Sequence, residues 1–268
     1  MELHMSKELK LTFVRIVHSE IIKFRSLRSN WVTLISTIFS IFFFGAISSF
    51  SAIGGVDTGD GPDFATLDPV SVVLSGTNFA LLIVGVFGAV LGAREYASGM
   101  IKLTFTAVPN RLNVLWAKLL VFLVAMLPGV LISTLLVFNV GMSILESGGA
   151  DTVAWDDAGV SRAVIGAALY VVGIGVIGLG LGVLLRNIAG SIGMLIGGVL
   201  FVPSLLTALL PASWSEVLKY LPSNAGRSFT EIYEIPNLLD AETGIWVFAC
   251  WVVLAVVVTA LQMQKRDA

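Results

Sequence analysis

Charged side chains that could bind a partner are concentrated between two long apolar runs. This stretch, residues 92–120, reads GAREYASGMIKLTFTAVPNRLNVLWAKLL. Its carboxylate and its cationic groups can form charge-assisted hydrogen bonds across a protein interface. Apolar residues give the same stretch an apolar side, and these are Ile101, Leu103, Phe105 and Val108. The combination predicts a short helix that rests at a membrane interface and docks into a groove on a partner.

Motifs for catalysis or cofactor binding are missing from the sequence. Residues 173–178 read GIGVIG, but they lie inside an apolar run with no acidic residue about 20 positions later, so a dinucleotide site is excluded. No Gly-Lys dipeptide occurs, and a P-loop is therefore absent. His4, His18 and Cys250 are too scattered for a metal site. We expect no enzymatic activity, metal or cofactor in this chain, and any ATP that it uses must bind to another chain.

The composition places the chain in a membrane. Of 268 residues, 56% are hydrophobic and 13% are charged, whereas a soluble domain has about 25% charged residues. The apolar residues form six runs, and about 20 residues suffice for one helix to cross the hydrocarbon core of roughly 30 Å. The runs cover residues 31–50, 71–93, 119–145, 163–185, 188–209 and 244–262. The predicted fold class is an all-α membrane protein with six transmembrane helices.

The distribution of charge predicts the orientation. No run contains Asp, Glu, Lys or Arg, which disfavours an ion-coupled transporter, because intramembrane ionisable groups usually mark ion or proton pathways. Segments that should face the cytoplasm hold 13 of the 16 basic residues, and these segments are 1–30, 94–118, 186–187 and 263–268. The bias predicts that both termini of this multi-pass protein lie in the cytoplasm. With a formal net charge of −2, we expect membrane lipids and no nucleic acid among its partners.

Segments outside the runs also have a helical pattern. In residues 1–30, apolar residues recur at helical spacing between basic ones, which predicts an amphipathic elbow helix or a simple membrane-surface anchor. Residues 31–268 then form the six-span domain. In the external segment 210–243, Trp214 to Leu221 predict one short helix that ends at Pro222, and FTEIYEI, residues 229–235, predicts a second.

Small residues and prolines predict how the spans pack. Glycines four residues apart favour close helix pairing, within or between chains. The pairs are Gly88 with Gly92, Gly178 with Gly182, and Gly193 with Gly197. Pro128 in the third run and Pro203 in the fifth each remove a backbone hydrogen bond and permit a kink.

Two stretches resemble a known family. The pattern consists of Arg94-Glu95-Tyr96, Gly99, Thr104, Pro109, Arg111 and Ala117-Lys118, and LPSNAGRSF, residues 221–229, is a second match. Both are similar to permease subunits of type 2 ABC exporters, particularly the actinobacterial ones. The plan of elbow helix, six spans and external helices before the last span resembles the same family. Met100 and Asn110 depart from it, because relatives often have Thr and a basic residue there.

The resemblance implies a function. Two copies of this permease, or one copy with a sister permease, would form a pathway driven by two ABC ATP-binding subunits, which would hold ATP and magnesium. Residues 94–118 would contain a cytoplasmic coupling helix. Its predicted contacts with the ATPase are Glu95, Tyr96, Gly99, Pro109 and Arg111. Gly99 would supply a bend or a close approach, and Glu95 and Arg111 would orient the dock through paired charges.

The substrate is constrained only by the polar residues in the spans. Candidate pathway residues are Asn78, Phe79, Thr134 and Asn139, which suit an amphipathic drug, a peptide or a lipid. The same side chains could instead join helices by hydrogen bonds. The direction of transport, export rather than import, is implied by the resemblance alone. The alternative function is a membrane scaffold that recruits a cytoplasmic protein without transport, and an intramembrane enzyme is disfavoured because the spans lack an acid, base or nucleophile pair.

Overall fold

Helices make up almost all of the described chain. The computed structural model describes residues 12–58, 68–211, 214–233 and 238–265. The helices are α1 Phe13–Ser26, α2 Arg28–Thr58, α3 Pro69–Val73, α4 Gly76–Ala97, α5 Ile101–Ala107, α6 Arg111–Ser147, α7 Val160–Leu185, α8 Ile188–Gly193, a π-helical segment Met194–Phe201, α9 Val202–Leu209, α10 Ser215–Leu218, α11 Pro222–Thr230 and α12 Ala241–Lys265. The first 11 residues of the predicted elbow segment lie outside these ranges.

Five of the described helices are long and apolar enough to cross a membrane: α2, α4, α6, α7 and α12. The predicted fifth span, residues 188–209, is instead divided into α8, the π-helical segment and α9. Gly197 and Gly198 lie in the π-helical segment, and Pro203 follows it, so the weakest helix formers coincide with the change of helical pitch. The count of six spans stays a prediction.

The second predicted span begins later than expected. Residues 71–93 form two helices, α3 and α4, which are separated at Leu74 and Ser75. Asp68 caps α3 by accepting a hydrogen bond from the Val70 N–H at 2.8 Å, and Pro69 occupies its first turn. At Gly76 a Cβ atom would overlap the backbone of Ile41 on α2, so a glycine is required where α4 starts.

The packing of α4 against α7 forms the centre of the bundle. A Cβ on Gly88 would overlap the Gly175 carbonyl oxygen, and one on Gly182 would overlap that of Ala89. Gly92 and Gly178 face the opposite backbone in the same way. Two of the three predicted glycine pairs therefore form one close contact within the chain. The third pair, Gly193 and Gly197, has no atom within 4 Å of an added Cβ and is free of such contacts.

The segments predicted to be cytoplasmic meet at one end of the bundle, to the extent that they lie in the described ranges. This end, the charged end, joins α1, the end of α4, α5, the start of α6, the end of α7 and the end of α12. Lys118 contacts Glu20, and the Gln262 side-chain amide donates to the Leu184 carbonyl at 2.9 Å. These contacts bring α1 to α6 and the end of α7 to the end of α12 at this end, and the full alternation of segments stays a prediction. Which side of the membrane this end faces stays a prediction.

The other end of the bundle carries the predicted external segment. Two short helices are present there: α10 lies within the first predicted helix, whereas α11 begins before the second predicted one. Pro222 begins α11 rather than only ending a pattern, because proline suits the first turn of a helix. The predicted helix at residues 229–235 is wrong from Glu231 to Tyr233, because Phe229 and Thr230 are the last residues of α11 and Glu231 is extended. Residues 234 and 235 lie outside the described ranges.

Candidate coupling site

The predicted coupling segment, residues 94–118, contains three elements. They are the last turn of α4, the short helix α5, and the first two turns of α6. Gly99 has a φ of 72°, a conformation that glycine adopts far more readily than other residues, and it redirects the chain from α4 into α5. The positive φ supports the predicted bend, and an added Cβ at Gly99 would meet no atom of the chain within 4 Å, so a close approach to a partner stays a prediction.

Four charged side chains form a cluster beneath α5. We call Glu20, Lys23, Glu95 and Lys118 the charge cluster. The Lys118 ammonium lies 3.1 Å from Glu20 Oε2 and 2.8 Å from Glu95 Oε1, and Lys23 lies 2.6 Å from Glu20 and 3.1 Å from Glu95. The hydroxyl of Thr104 on α5 donates to the second Glu95 oxygen at 3.2 Å. One carboxylate therefore joins α4 to α1, α5 and α6.

Local sequence explains why these charges are buried. Ile16, Glu20 and Phe24 repeat every four residues on the buried face of α1, so the only acid of this helix points into the bundle. Lys118 lies seven residues into α6, about 10 Å along a helix of 37 residues. The side chains of Lys118 and Glu20 are 8% and 5% exposed. Because each buried charge has two opposite partners, their loss of hydration is offset.

Lys23 is the exposed member of the charge cluster, with a side chain that is 44% exposed. Partial burial lowers the pKa of its ammonium, but the hydrogen bond and charge of Glu20, together with the charge of Glu95, raise it by more. The net pKa of Lys23 lies above its ordinary value, so the side chain is a cation at neutral pH.

Two further contacts fasten the ends of the segment to the bundle. The Arg186 guanidinium lies over the Tyr96 ring, 5.0 Å from its centroid, which joins α4 to the end of α7. Arg111 lies 5.2 Å from the Phe105 ring centroid and donates to the Met263 carbonyl at 3.3 Å, which joins α5, α6 and α12. These cations therefore connect five helices at the charged end.

The outer side of α5 has the features of a docking surface. Ile101 is buried against the bundle, whereas Met100 and Leu103 are 53% and 63% exposed. Lys102 is also exposed. We call Met100, Lys102 and Leu103 the α5 face. A short helix with apolar anchors beside a cation, held from below by ion pairs, can enter an apolar groove on a partner.

Comparison with known protein families identifies the chain. Residues 16–156 match the family model described as ABC-2 family transporter protein. The chain belongs to this family. A comparison with curated proteins gave no match. The matched residues contain the whole charge cluster, α5 and the α5 face, whereas Arg186 and Met263 lie outside the match.

Membership of the ABC-2 family has direct consequences. The chain is a multi-pass membrane protein with a transmembrane ABC permease role, and the family implies association with ABC ATP-binding subunits. Tryptophans fit this assignment, because all six are exposed and such residues favour membrane interfaces. Trp31 and Trp116 lie toward the charged end, and Trp246 lies near the start of α12, toward the opposite end.

The five predicted coupling residues of this ABC-2 protein differ in exposure. Gly99 and Pro109 are exposed beside α5. Glu95 and Tyr96 are half-buried and turned toward Lys118 and Arg186. Glu95 pairs with lysines rather than with Arg111. Direct contact of these five residues with an ATPase stays a prediction, and the structure adds that three of them have partners within the chain.

The four predicted pathway residues do not form one lining in the ABC-2 chain. Asn78 and Phe79 are exposed at the start of α4, where Phe79 stacks on Phe44 with ring centroids 3.7 Å apart. Thr134 is fully buried and donates to the Leu131 carbonyl. The Asn139 amide donates to Leu135 at 2.7 Å and accepts from Trp155. Thr134 thus bonds within α6, and Asn139 bonds within α6 and to the segment before α7, so neither bond joins two helices. Both the pathway role and the alternative role in joining helices stay predictions.

Glu20, Lys118 and Arg186 are functional candidates that sequence reasoning missed as site residues. A signal existed for Glu20, because an acid on the apolar stripe of an amphipathic helix needs a cation nearby. Lys118 lies between apolar residues in α6, and a buried cation in such a place needs an acidic partner. Arg186 has a φ of 54° at the end of α7, and only the fold reveals that it reaches Tyr96.

Replacing Gly99 with alanine should destabilise the turn into α5. Alanine at a left-handed φ costs about 1–2 kcal/mol, and open space around the site excludes a steric contribution. Asparagine tolerates this conformation better, so Gly99→Asn should cost less than Gly99→Ala. Thermal unfolding of the purified variants in detergent measures the difference, with Ser98→Ala as the control. Equal stability of Gly99→Ala and the unaltered protein would contradict the assigned bend.

Proposed function

We propose that this ABC-2 family protein is the membrane subunit of an ATP-driven exporter. It acts as a dimer, with a second copy or a sister permease, and works with two separate ATP-binding subunits that hold ATP and magnesium. This chain performs no hydrolysis itself. Its charged end faces the cytoplasm with both termini, as the positive charge bias predicts. The resemblance to actinobacterial permeases supports the plasma membrane of a bacterium as its location.

The observation that carries the proposal is the α5 face above the charge cluster. Met100 and Leu103 are apolar and exposed at the end of the bundle, in a chain whose family implies an ATP-binding partner. Below them, Thr104 on α5 is bonded to Glu95, which is paired with Lys118 on α6 and Lys23 on α1. Movement of α5 would therefore be transmitted through the Glu95 carboxylate to α1, α4 and α6.

The predicted coupling residues receive roles from this geometry. Gly99 and Pro109 bound α5 and set its angle, and the α5 face enters a cleft on the ATPase. Glu95, Tyr96 and Arg111 tie the segment to α1, α6, α7 and α12, so that movement of the ATPase becomes movement of spans. ATP-driven closure of the ATPase dimer would thereby switch the pathway between inward-facing and outward-facing states.

The cargo that we propose is an amphipathic drug, a peptide or a lipid-like molecule. The five membrane-length helices have almost no charge in their central parts, so a highly charged substrate would lack counter-charges inside the membrane. Asn78 and Phe79 are exposed on α4 and are available to such a molecule. The scaffold alternative predicts partner binding without ATP-dependent movement of any substrate.

Substitution of Leu103 by aspartate should abolish capture of the ATP-binding subunit. Leu103 is 63% exposed, so a carboxylate there leaves the bundle intact but places a charge in an apolar groove of the partner. A loss of about 2 kcal/mol or more, which is over tenfold in affinity, is the size typical of an interface anchor. Co-purification from the native membrane followed by quantitative mass spectrometry measures it.

Val217→Asp is the matched control for Leu103→Asp. Val217 is 62% exposed on α10, at the opposite end of the bundle, so the same change in side chain should leave the partner bound. If Leu103→Asp retains the ATP-binding subunit as well as Val217→Asp does, α5 is not the docking element. If the complex contains an ATPase but moves no substrate upon hydrolysis, the scaffold alternative holds instead.

A further inference from the structure

A groove between α2 and α4 opens on the outside of the bundle near the charged end. The two helices touch closely at Gly76, where a Cβ would overlap Ile41, and a groove of about 610 Å³ separates them farther along. Its walls include Val32, Ser36, Leu82, Val86 and Val90. Val32 is 61% exposed, so the groove faces the surroundings of the bundle, which for a membrane-spanning helix is lipid.

The dimensions of the groove fit one acyl chain. The residues of α4 that line the groove extend from Leu82 to Arg94. These two residues are 12 positions apart, which corresponds to about 18 Å along the helix. One leaflet contributes about half of the roughly 30 Å hydrocarbon core. The groove therefore has the length of a chain that descends from a headgroup at the charged end to the middle of the membrane.

The cationic residue Arg94 lies at the end of the groove that is nearest the charged end of the bundle. Arg94 lines both the groove and a neighbouring cavity of about 230 Å³ that contains the charge cluster, and Asn30 and Leu91 also line both. The smaller cavity is lined by three cations and two carboxylates, namely Lys23, Arg94, Lys118, Glu20 and Glu95. The excess charge is one cation, which gives the mouth of the groove a positive charge.

Arg94 is the cation that is available to a ligand. Both carboxylates of the cavity are already paired with Lys23 and Lys118. Within the described ranges, no hydrogen bond or ion pair joins the Arg94 guanidinium to another residue. A planar guanidinium binds phosphate oxygens in a bidentate manner, and a half-buried one without a partner favours an anion beside it.

We propose that the groove between α2 and α4 binds an anionic phospholipid, with its phosphate on Arg94 and an acyl chain along Val86 and Val90. The charge complementarity at Arg94 selects an acidic headgroup, and the apolar walls select a lipid over a free phosphate. The site does not depend on coupling to an ATPase. It places a lipid headgroup next to Glu95 and Lys118, within the cavity that the charge cluster lines.

The test is native mass spectrometry of the purified full chain in detergent, titrated with phosphatidylglycerol and with phosphatidylcholine of the same acyl chains. We expect the unaltered protein to bind phosphatidylglycerol roughly tenfold more tightly, the scale of one charge-assisted hydrogen-bond pair. Arg94→Gln should reduce phosphatidylglycerol binding to the level of phosphatidylcholine. Arg25→Gln, an exposed arginine of α1 that lines neither cavity, should keep the preference.

A second pair of variants tests the acyl chain. Val86→Trp fills the groove and should weaken binding of both lipids, whereas Val124→Trp on the exposed side of α6 should not. Equal binding of the two lipids by the unaltered protein, or an unchanged preference in Arg94→Gln, would overturn the proposal. So would efficient competition by glycerol phosphate, because a free phosphate would then suffice.

Discussion

Replacing Lys118 with methionine should destabilise the protein by about 3–5 kcal/mol, the cost typical of removing one partner from a buried ion pair. The substitution keeps the length and apolar stem of the side chain but leaves the two carboxylates of Glu20 and Glu95 with one cation, Lys23, so that one buried negative charge is uncompensated. Their side chains are 5% and 13% exposed, so water compensates little. Thermal unfolding in detergent, followed by loss of the monodisperse fraction, measures the effect.

Two comparisons isolate the charge effect at Lys118. Lys23→Met removes the exposed cation of the same cluster and should cost about 1 kcal/mol or less, because solvent screens a side chain that is 44% exposed. Adding Glu20→Gln to Lys118→Met removes one of the two opposed charges and should restore part of the stability. If Lys118→Met and Lys23→Met are equally stable, burial of the ion pairs does not hold these helices together.

Substitution of Gly88 by alanine should separate α4 from α7. The new methyl group would overlap the Gly175 carbonyl oxygen, and backbone atoms cannot move aside as a flexible side chain can. Overpacking costs typically 1–3 kcal/mol, and a clash with backbone belongs at about the upper value. The yield of monodisperse protein after detergent extraction, together with its unfolding temperature, measures the loss.

Gly193→Ala is the matched control for Gly88→Ala. Both glycines lie inside helices, but an added Cβ at Gly193 meets no atom within 4 Å. Alanine has the higher helix propensity, so Gly193→Ala should be neutral or slightly stabilising. A Gly88→Ala protein as stable as Gly193→Ala would contradict the close packing of α4 on α7.

The spacing and composition of apolar residues predicted the all-helical class, which the described residues confirm. Length and apolarity suffice for a membrane helix, because its backbone hydrogen bonds are satisfied within the segment. They predicted α2, α6, α7 and α12 to within a few turns. They misplaced the start of α4, because that start depends on the Asp68 cap and on contact between Gly76 and α2.

The sequence by itself determined where polar and apolar segments lie, and residues 94–118 were predicted as the site from charge and resemblance alone. Only the tertiary structure decided which of those charges face outward. Glu95 turns toward Lys118 and Lys23, residues 23 and 72 positions away along the chain, because buried carboxylates need cations and the fold brings these together. The periodicity of apolar residues carries no information on such distant pairs. It shows which face of a helix is buried but not which other helix packs against that face.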